Sequence, residues 1–419
     1  MNRRFLVVLL CLASPSCALA DDWPQWRGPE RTGHVPAGAA VPATLPPAPT
    51  VVFKAALGNG LASPVVASGR VFILDVEDNK EIVRAFDAGT GQPVWSAPLD
   101  AAHKDSQSPA GPRCTPVVDG GLVYAQSCRG QLAAFGAADG KPVWQANFVK
   151  DFGASFVGEK GQAQGAVRHG YNGSPLTDGG RLIALVGGKE NAAVVAFDKA
   201  TGKVVWKAQT GTPAYAPPVI ATVAGRRQLL AFMVEGLMSL DPEDGELLWQ
   251  VPLKTAFGRH VTTPTVIGDT VLVASHQFGL TGIRVTKDGD ALKAERAWTS
   301  KEAAINFCSP VAVGGHLYAL GPQKNLICVD PTTGKIAWSK EGFSVAAAGN
   351  AHAGLLVMGP NLLVLTDGGA LVLVAADPTA YKEVGRTQVA GTNWCMPAYA
   401  QGVLYLRDQR DLYGVRLVQ

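Results

Sequence analysis

Ala85-Phe86-Asp87-Ala88-Gly89-Thr90-Gly91-Gln92-Pro93-Val94-Trp95 is answered further along the chain by Ala196-Phe197-Asp198-Lys199-Ala200-Thr201-Gly202-Lys203-Val204-Val205-Trp206. Each copy is an apolar run, an acidic residue, a Thr-Gly turn, a polar residue and a short apolar pair ending in Trp. Further copies end at Trp144, Trp249 and Trp338, and a degenerate one, turning at Lys287-Asp288-Gly289-Asp290, ends at Trp298. Phe53 and Val384 complete the series without Trp. From Phe53 to Val384 the intervals are 42, 49, 62, 43, 49, 40 and 46 residues, the spacing of propeller blades with one insertion.

A second phrase accompanies the first: a small residue and Pro, an apolar strand, a Gly turn and another strand. It stands at Ser63-Pro64, Thr115-Pro116, Ser174-Pro175 and Ser309-Pro310, with further copies beginning at Pro218, Pro264 and Pro397. The seventh unit, near Asn350 to Leu355, lacks the Pro. Each unit therefore reads as four short strands joined by tight turns, with Asp-x-x-Thr-Gly closing the last hairpin. There the Asp carboxylate bonds amides of its own turn while Gly takes positive φ. Eight units are counted, and the last, Asn393 to Gln419, lacks its outer strand. Thr50 to Leu57 at the other end supplies one, closing the ring and removing an open sheet edge. The expectation is an all-β, single eight-bladed β-propeller over residues 50–419.

Composition agrees. Gly 48 and Pro 28 make up about 18% of the 419 residues, above the usual share and short of low complexity. With 47% hydrophobic and 17% charged residues, a large core is available and disorder is excluded. Net charge is +3, near +1 once Arg3 and Arg4 leave with the leader, and no basic stripe exists, so nucleic acid is excluded as a partner.

Residues 1–20 read as a signal peptide: Arg3 and Arg4, an apolar run from Phe5 to Ala13, Pro15, and Ala18-Leu19-Ala20 before the cleavage point. Ser14 stands where a lipobox before Cys17 would need Leu, so the expected product is a soluble periplasmic or secreted protein without a transmembrane segment. Residues 21–49 form an arm, Trp23-Pro24-Gln25-Trp26-Arg27-Gly28-Pro29 followed by a Pro- and Ala-rich linker. Two Trp in so short an arm predict docking on the protein's own body. Cys114, Cys128, Cys308, Cys328 and Cys395 remain in the mature chain. Pairings Cys114 with Cys128 and Cys308 with Cys328 are open, as is a set of free, buried thiols.

The turn-plus-Trp phrase and the Ser/Thr-Pro opener resemble the repeats of pyrroloquinoline-quinone (PQQ)-type propellers. The Asp22 to Pro29 opening resembles an exported bacterial subfamily of PQQ-binding-like repeat proteins. The resemblance implies the fold but leaves two functional classes, because similar blades serve quinoprotein dehydrogenases and the BamB-type outer-membrane assembly lipoprotein, a non-enzymatic scaffold. The vicinal Cys-Cys and the C-x-x-C-H haem attachment of the dehydrogenases are missing here, and so is the lipobox of the BamB type.

Propeller geometry places the Asp-x-x-Thr-Gly and Gly-Gly turns on one face, and the inter-blade links with the second-to-third strand loops on the other. That second face carries the variation, with Asp100 to Arg113 and Phe148 to Asn172 its longest elements. Arg113, Asn172, Arg259 and Trp394 are the candidates for holding an anionic quinone, PQQ with Ca²⁺. Arg168, His169, Tyr171, Tyr215, His260, Asn306, His352 and Asn393 are the candidates for a ligand or partner face, with Arg and His as donors and the aromatic rings as stacking surfaces. No His cluster has metal-ligand spacing and no G-x-S-x-G elbow is present. The expected role is a monomeric binding or assembly platform for a cell-envelope protein, peptide or glycan; the alternative is a PQQ-dependent alcohol or sugar dehydrogenase.

Overall fold

The computed structural model describes residues 22–105, 110–158, 163–346 and 351–418. The leader, together with Ser106, Ser108 and Pro109 of the first long link, lies outside these.

Eight four-stranded antiparallel sheets follow one another along the chain. Blade 1 comprises Val65–Ala67, Arg70–Glu77, Lys80–Asp87 and Pro93–Ala101, and blades 2 to 7 follow at 117–147, 176–208, 219–252, 265–300, 311–340 and 353–388. Blade 8 takes Ala398–Ala400, Val403–Arg407 and Asp411–Arg416 from the C-terminal end and Thr50–Ala56 from the other, paired antiparallel from Thr50↔Arg416 to Ala56↔Asp411. The expected closure of the ring is thus formed. Two short helices, Phe148–Phe152 and Ala166–His169, interrupt the long second link.

The turns behave as their sequence dictates. Asp87 Oδ1 accepts from the Thr90 amide at 2.9 Å and from its hydroxyl at 2.8 Å, which holds the Asp87 carboxyl below its ordinary range. Asp198 with Thr201 and Asp330 with Thr332 repeat the arrangement.

What the turns position is the contact between blades. A Cβ on Gly140 would fall 2.6 Å from the Trp95 ring, one on Gly202 2.6 Å from Trp144, one on Gly245 2.9 Å from Trp206, and one on Gly334 2.5 Å from Trp298. Trp95, Trp144, Trp206 and Trp298 therefore lie under the turn glycine of the next blade, where only glycine leaves room for them. Phe53 meets Gly91 in the same way and carries the contact across the chain closure. Trp95, Trp144, Trp298 and Trp338 add an indole hydrogen bond to a carbonyl of the next blade, at 2.8–3.1 Å.

Within each blade a small residue faces the ring: Ala85↔Trp95, Ala134↔Trp144, Ala196↔Trp206, Ser239↔Trp249, Gly282↔Trp298 and Cys328↔Trp338. A bulge next to each pair aims the ring sideways. In blade 7 the sizes are exchanged, Leu373↔Gly385. Gly385, not Val384, therefore occupies the Trp position; Val384 is the bulged residue, and the expected series was one residue out at its end. All five cysteines are free and buried, so neither disulfide forms; Cys328 is the small partner of Trp338.

The arm does dock on the body, and it does so inside the channel. Trp23 exchanges two main-chain hydrogen bonds with Val66 of blade 1, and the Pro24 carbonyl accepts from Val118 of blade 2. Trp26 Nε1 donates to Thr263 Oγ1 at 2.9 Å, at the edge of blade 5, and Arg31 to the Ser174 and Pro175 carbonyls beside blade 3. Arg27 reaches the Pro310 carbonyl beside blade 6, and Val35 pairs with Val357 of blade 7. The arm thus bridges opposite sides of the ring.

Candidate functional site

The arm's arginines set the electrostatics of the channel. Arg27 and Arg31 are buried, both at positive φ (61° and 57°), a conformation that non-glycine residues hold only when their surroundings fix it. Their guanidinium groups bond to main-chain carbonyls and the Gln25 amide oxygen, with no carboxylate partner among the described residues. Burial without a counter-charge pushes Arg27 down to about 10 and Arg31 to about 9.

Above the arm, on the inter-blade face, the channel opens into a funnel of about 580 Å³ with Trp26 in its lining, within the roughly 300–1,000 Å³ of ligand pockets. One sequence position builds its wall. Leu61, Arg113, Asn172, Tyr215, Val261, Phe307 and Trp394 each stand three residues before the Pro that opens an inner strand, and all seven line the funnel. His352 fills the place in the Pro-less seventh unit. Links running inward to the axis present this position to the mouth before the strand turns down the channel.

Around the wall lie Arg168, His169, Asp105 and Phe257. Asp105 accepts from Arg113 at 2.9 Å and from His169 Nδ1 at 3.1 Å, while Arg113 also donates to the His169 carbonyl at 2.7 Å. Arg168 and Arg259 differ. Each lies over an aromatic ring, Arg168 4.4 Å from the Phe257 centroid and Arg259 4.6 Å from that of Phe307, and neither has a carboxylate partner among the described residues. Partial burial holds Arg259 below its ordinary value. Burial, with the nearby Arg168 and Arg113 charges, likewise holds His169 below its ordinary value despite its bond to Asp105. Three guanidinium groups and one carboxylate leave the funnel in want of an anion.

On the same inter-blade links Val157, Phe257 and Val345 are 61%, 46% and 73% exposed, Phe257 within the funnel's lining and the two valines outside it.

Of the twelve residues singled out from sequence, eight line the funnel: Arg113, Arg168, His169, Asn172, Tyr215, Arg259, His352 and Trp394. Four do not. Tyr171 is buried edge-on against Phe148, and His260 stacks on Phe232 with centroids 4.2 Å apart. Asn393 is buried and donates to the Thr366 carbonyl at 2.9 Å; Asn306 stands beside Phe307 outside the lining. The two Arg-His dipeptides of the sequence, Arg168-His169 and Arg259-His260, are thus alike only in their arginines, since His169 lines the funnel and His260 does not. Sequence reasoning missed Asp105, Phe257, Phe307 and Trp26. The three-before-Pro position identifies Phe307, whereas nothing in the repeat points to Trp26, which comes from the arm.

No group of three metal-ligating side chains occurs among the described residues, nor does any helix long and apolar enough to cross a membrane.

The family model for outer membrane protein assembly factor BamB matches residues 49–147 and 78–340. The corresponding factor of Moranella endobia is 26% identical over 235 residues, 54% of this chain and 56% of that protein, so this chain spans little more than half of that relative's length. Among solved structures, quinohemoprotein alcohol dehydrogenase from Comamonas testosteroni superposes with a TM-score of 0.66 at 15% identity, covering 94% of this chain and 80% of the other. BamB from Moraxella catarrhalis superposes with 0.56 at 14% identity, covering 88% and 100%. At these identities the superpositions speak for the fold alone.

Proposed function

The chain belongs to the family described as outer membrane protein assembly factor BamB, and from that premise we propose that it is an exported, non-enzymatic binding platform whose inter-blade face engages a cell-envelope partner. One observation carries the reading: the arm crosses the channel from within, leaving a cationic funnel on a face whose inter-blade links carry exposed apolar side chains. A closed channel serves recognition at one face, and exposed apolar residues around a polar pocket are the usual mark of an interaction site.

A quinone-dependent oxidoreductase is the second reading, favoured because Arg113, Asn172, Arg259 and Trp394 share the funnel. They suit a flat organic anion. Calcium does not fit beside it among the described residues: Ca²⁺ takes six to eight oxygen ligands, typically with carboxylates among them, and the one described carboxylate lining the funnel, Asp105, is bound to Arg113 and His169. Arg113 is correspondingly less available to a cofactor.

Photo-crosslinking residues introduced at Val157, Phe257 and Val345 in cells test the platform, with Val94 on an outer strand as the control. Discrete adducts from the three link positions and none from Val94 are expected; equal patterns from all four would remove the loop face from consideration. Calorimetric titration of residues 21–419 with PQQ, with and without Ca²⁺, followed by dye-linked alcohol oxidation, decides the second reading. Micromolar binding with turnover would replace the platform by an enzyme.

A further inference from the structure

We infer that the funnel receives the carboxy-terminal end of a partner polypeptide, with the terminal carboxylate held by Arg168 and Arg259. The inference rests on the platform reading and adds which part of the partner is recognised.

Three features converge on a chain end. Trp26 and the arm close the floor, so a polypeptide cannot thread the channel, and a chain that reaches the bottom must stop there. On the same face Val157 and Val345, exposed and outside the funnel's lining, offer contact area that a chain continuing from the funnel reaches and a small anion does not. At the mouth, two guanidinium groups lack any carboxylate partner among the described residues.

The aromatic rings explain how those charges are held ready. Phe257 and Phe307 hold the Arg168 and Arg259 guanidinium groups over their rings, at 4.4 and 4.6 Å from the centroids, and do not occupy their N–H donors. A guanidinium so oriented loses little further freedom on binding and bonds a carboxylate through parallel N–H groups. Inside the polar ring, Trp394 and Phe307, with centroids 5.1 Å apart, offer apolar surface to the last side chains. The buried charges of Arg27 and Arg31 below the floor add attraction for an anion with no carboxylate of their own to quench it.

The test uses the mature chain and two pools of N-acetylated hexapeptides of random sequence without Asp or Glu, one ending in the free acid and one in the amide. Fluorescence anisotropy is expected to show the acid pool binding at least about tenfold more tightly, and an Arg168→Gln/Arg259→Gln variant with an unchanged thermal midpoint is expected to lose that preference. Equal binding of the two pools, or binding by neither, overturns the inference. Benzoate competing as tightly as the acid pool also overturns it, in favour of a free small carboxylate, as does an amidated pool rich in Asp and Glu, in favour of an acidic side chain. The platform fails separately. Cross-links from the link positions that persist while acid and amide pools bind alike would leave the platform standing and remove only the chain-end recognition.

Discussion

The circumference and the centre of the ring solve the same problem, filling the space between blades, by opposite means. At the circumference one contact recurs: an outer-strand Trp, or Phe53, beneath the turn glycine of the next blade. Along the axis the filler does not recur. A single arm is held by main-chain pairing to blades 1, 2 and 7, by an indole to blade 5 and by guanidinium groups beside blades 3 and 6. An eight-bladed ring leaves an axial gap that its small inner-strand residues do not fill, and an asymmetric filler makes one end of that gap a pocket. Repetition thus supplies the ring and the position that walls the funnel, and the unrepeated arm supplies its floor.

The largest effect is expected at the circumference. Trp206 is buried, its indole lies against Gly245 of the next blade, and its Nε1 has no hydrogen-bond partner among the described residues, so its contribution is packing. Trp206→Ala should lower stability by about 3–5 kcal/mol through the cavity it opens, read as a fall in the urea midpoint. An unshifted midpoint would break the claim that these contacts hold the ring.

A smaller effect, dependent on pH, is expected just beneath the mouth. His260 stacks on Phe232, and its Nδ1 donates to the Met233 carbonyl at 2.7 Å. Burial pushes it down to about 4 from an ordinary 6.5. Because the folded protein holds this imidazole neutral, its share of stability is complete above about pH 6.5 and is lost as pH falls through 4, up to about 3 kcal/mol. His352, also pushed down to about 4 by burial, acts in the same direction. Denaturation midpoints between pH 7.5 and 4 should fall less steeply for His260→Gln than for the parent. Parallel slopes would mean that the layer under the funnel is wetter than its packing implies.

What could be read in advance follows the same division. The eight units, the closing strand at Thr50 and the place of Phe53 were legible because a repeat states its register many times over. The miss at Val384 arose where Leu373 and Gly385 exchange sizes, so the marker ring is absent while the bulge persists. At the mouth, Arg113, Asn172, Tyr215 and Trp394 were legible as polar or aromatic residues on converging links. Phe307 and Val261 share their position but lack polarity to flag it, and Asp105 belongs to a link of irregular length. Trp26 was beyond such reading, since the path of an arm through a channel depends on contacts more than 200 residues away, as its bond to Thr263 illustrates.

The smallest effect expected is also the one that best separates the two regions. Phe307 gives Arg259 its aromatic face at 4.6 Å and lies 5.1 Å from the Trp394 ring, both in the funnel lining. Phe307→Leu keeps most of the apolar area and removes the ring, so stability should fall by only about 0.5–1 kcal/mol, the value of an exposed cation–π contact. Freed from its platform, the Arg259 guanidinium samples more orientations and must lose them again on binding, so the preference for free-acid over amidated peptides should narrow. A fall in urea midpoint as large as that of Trp206→Ala would show that the mouth is a structural part of the ring. A small fall with a narrowed preference would show that the funnel is a recognition surface carried by a scaffold that stands without it.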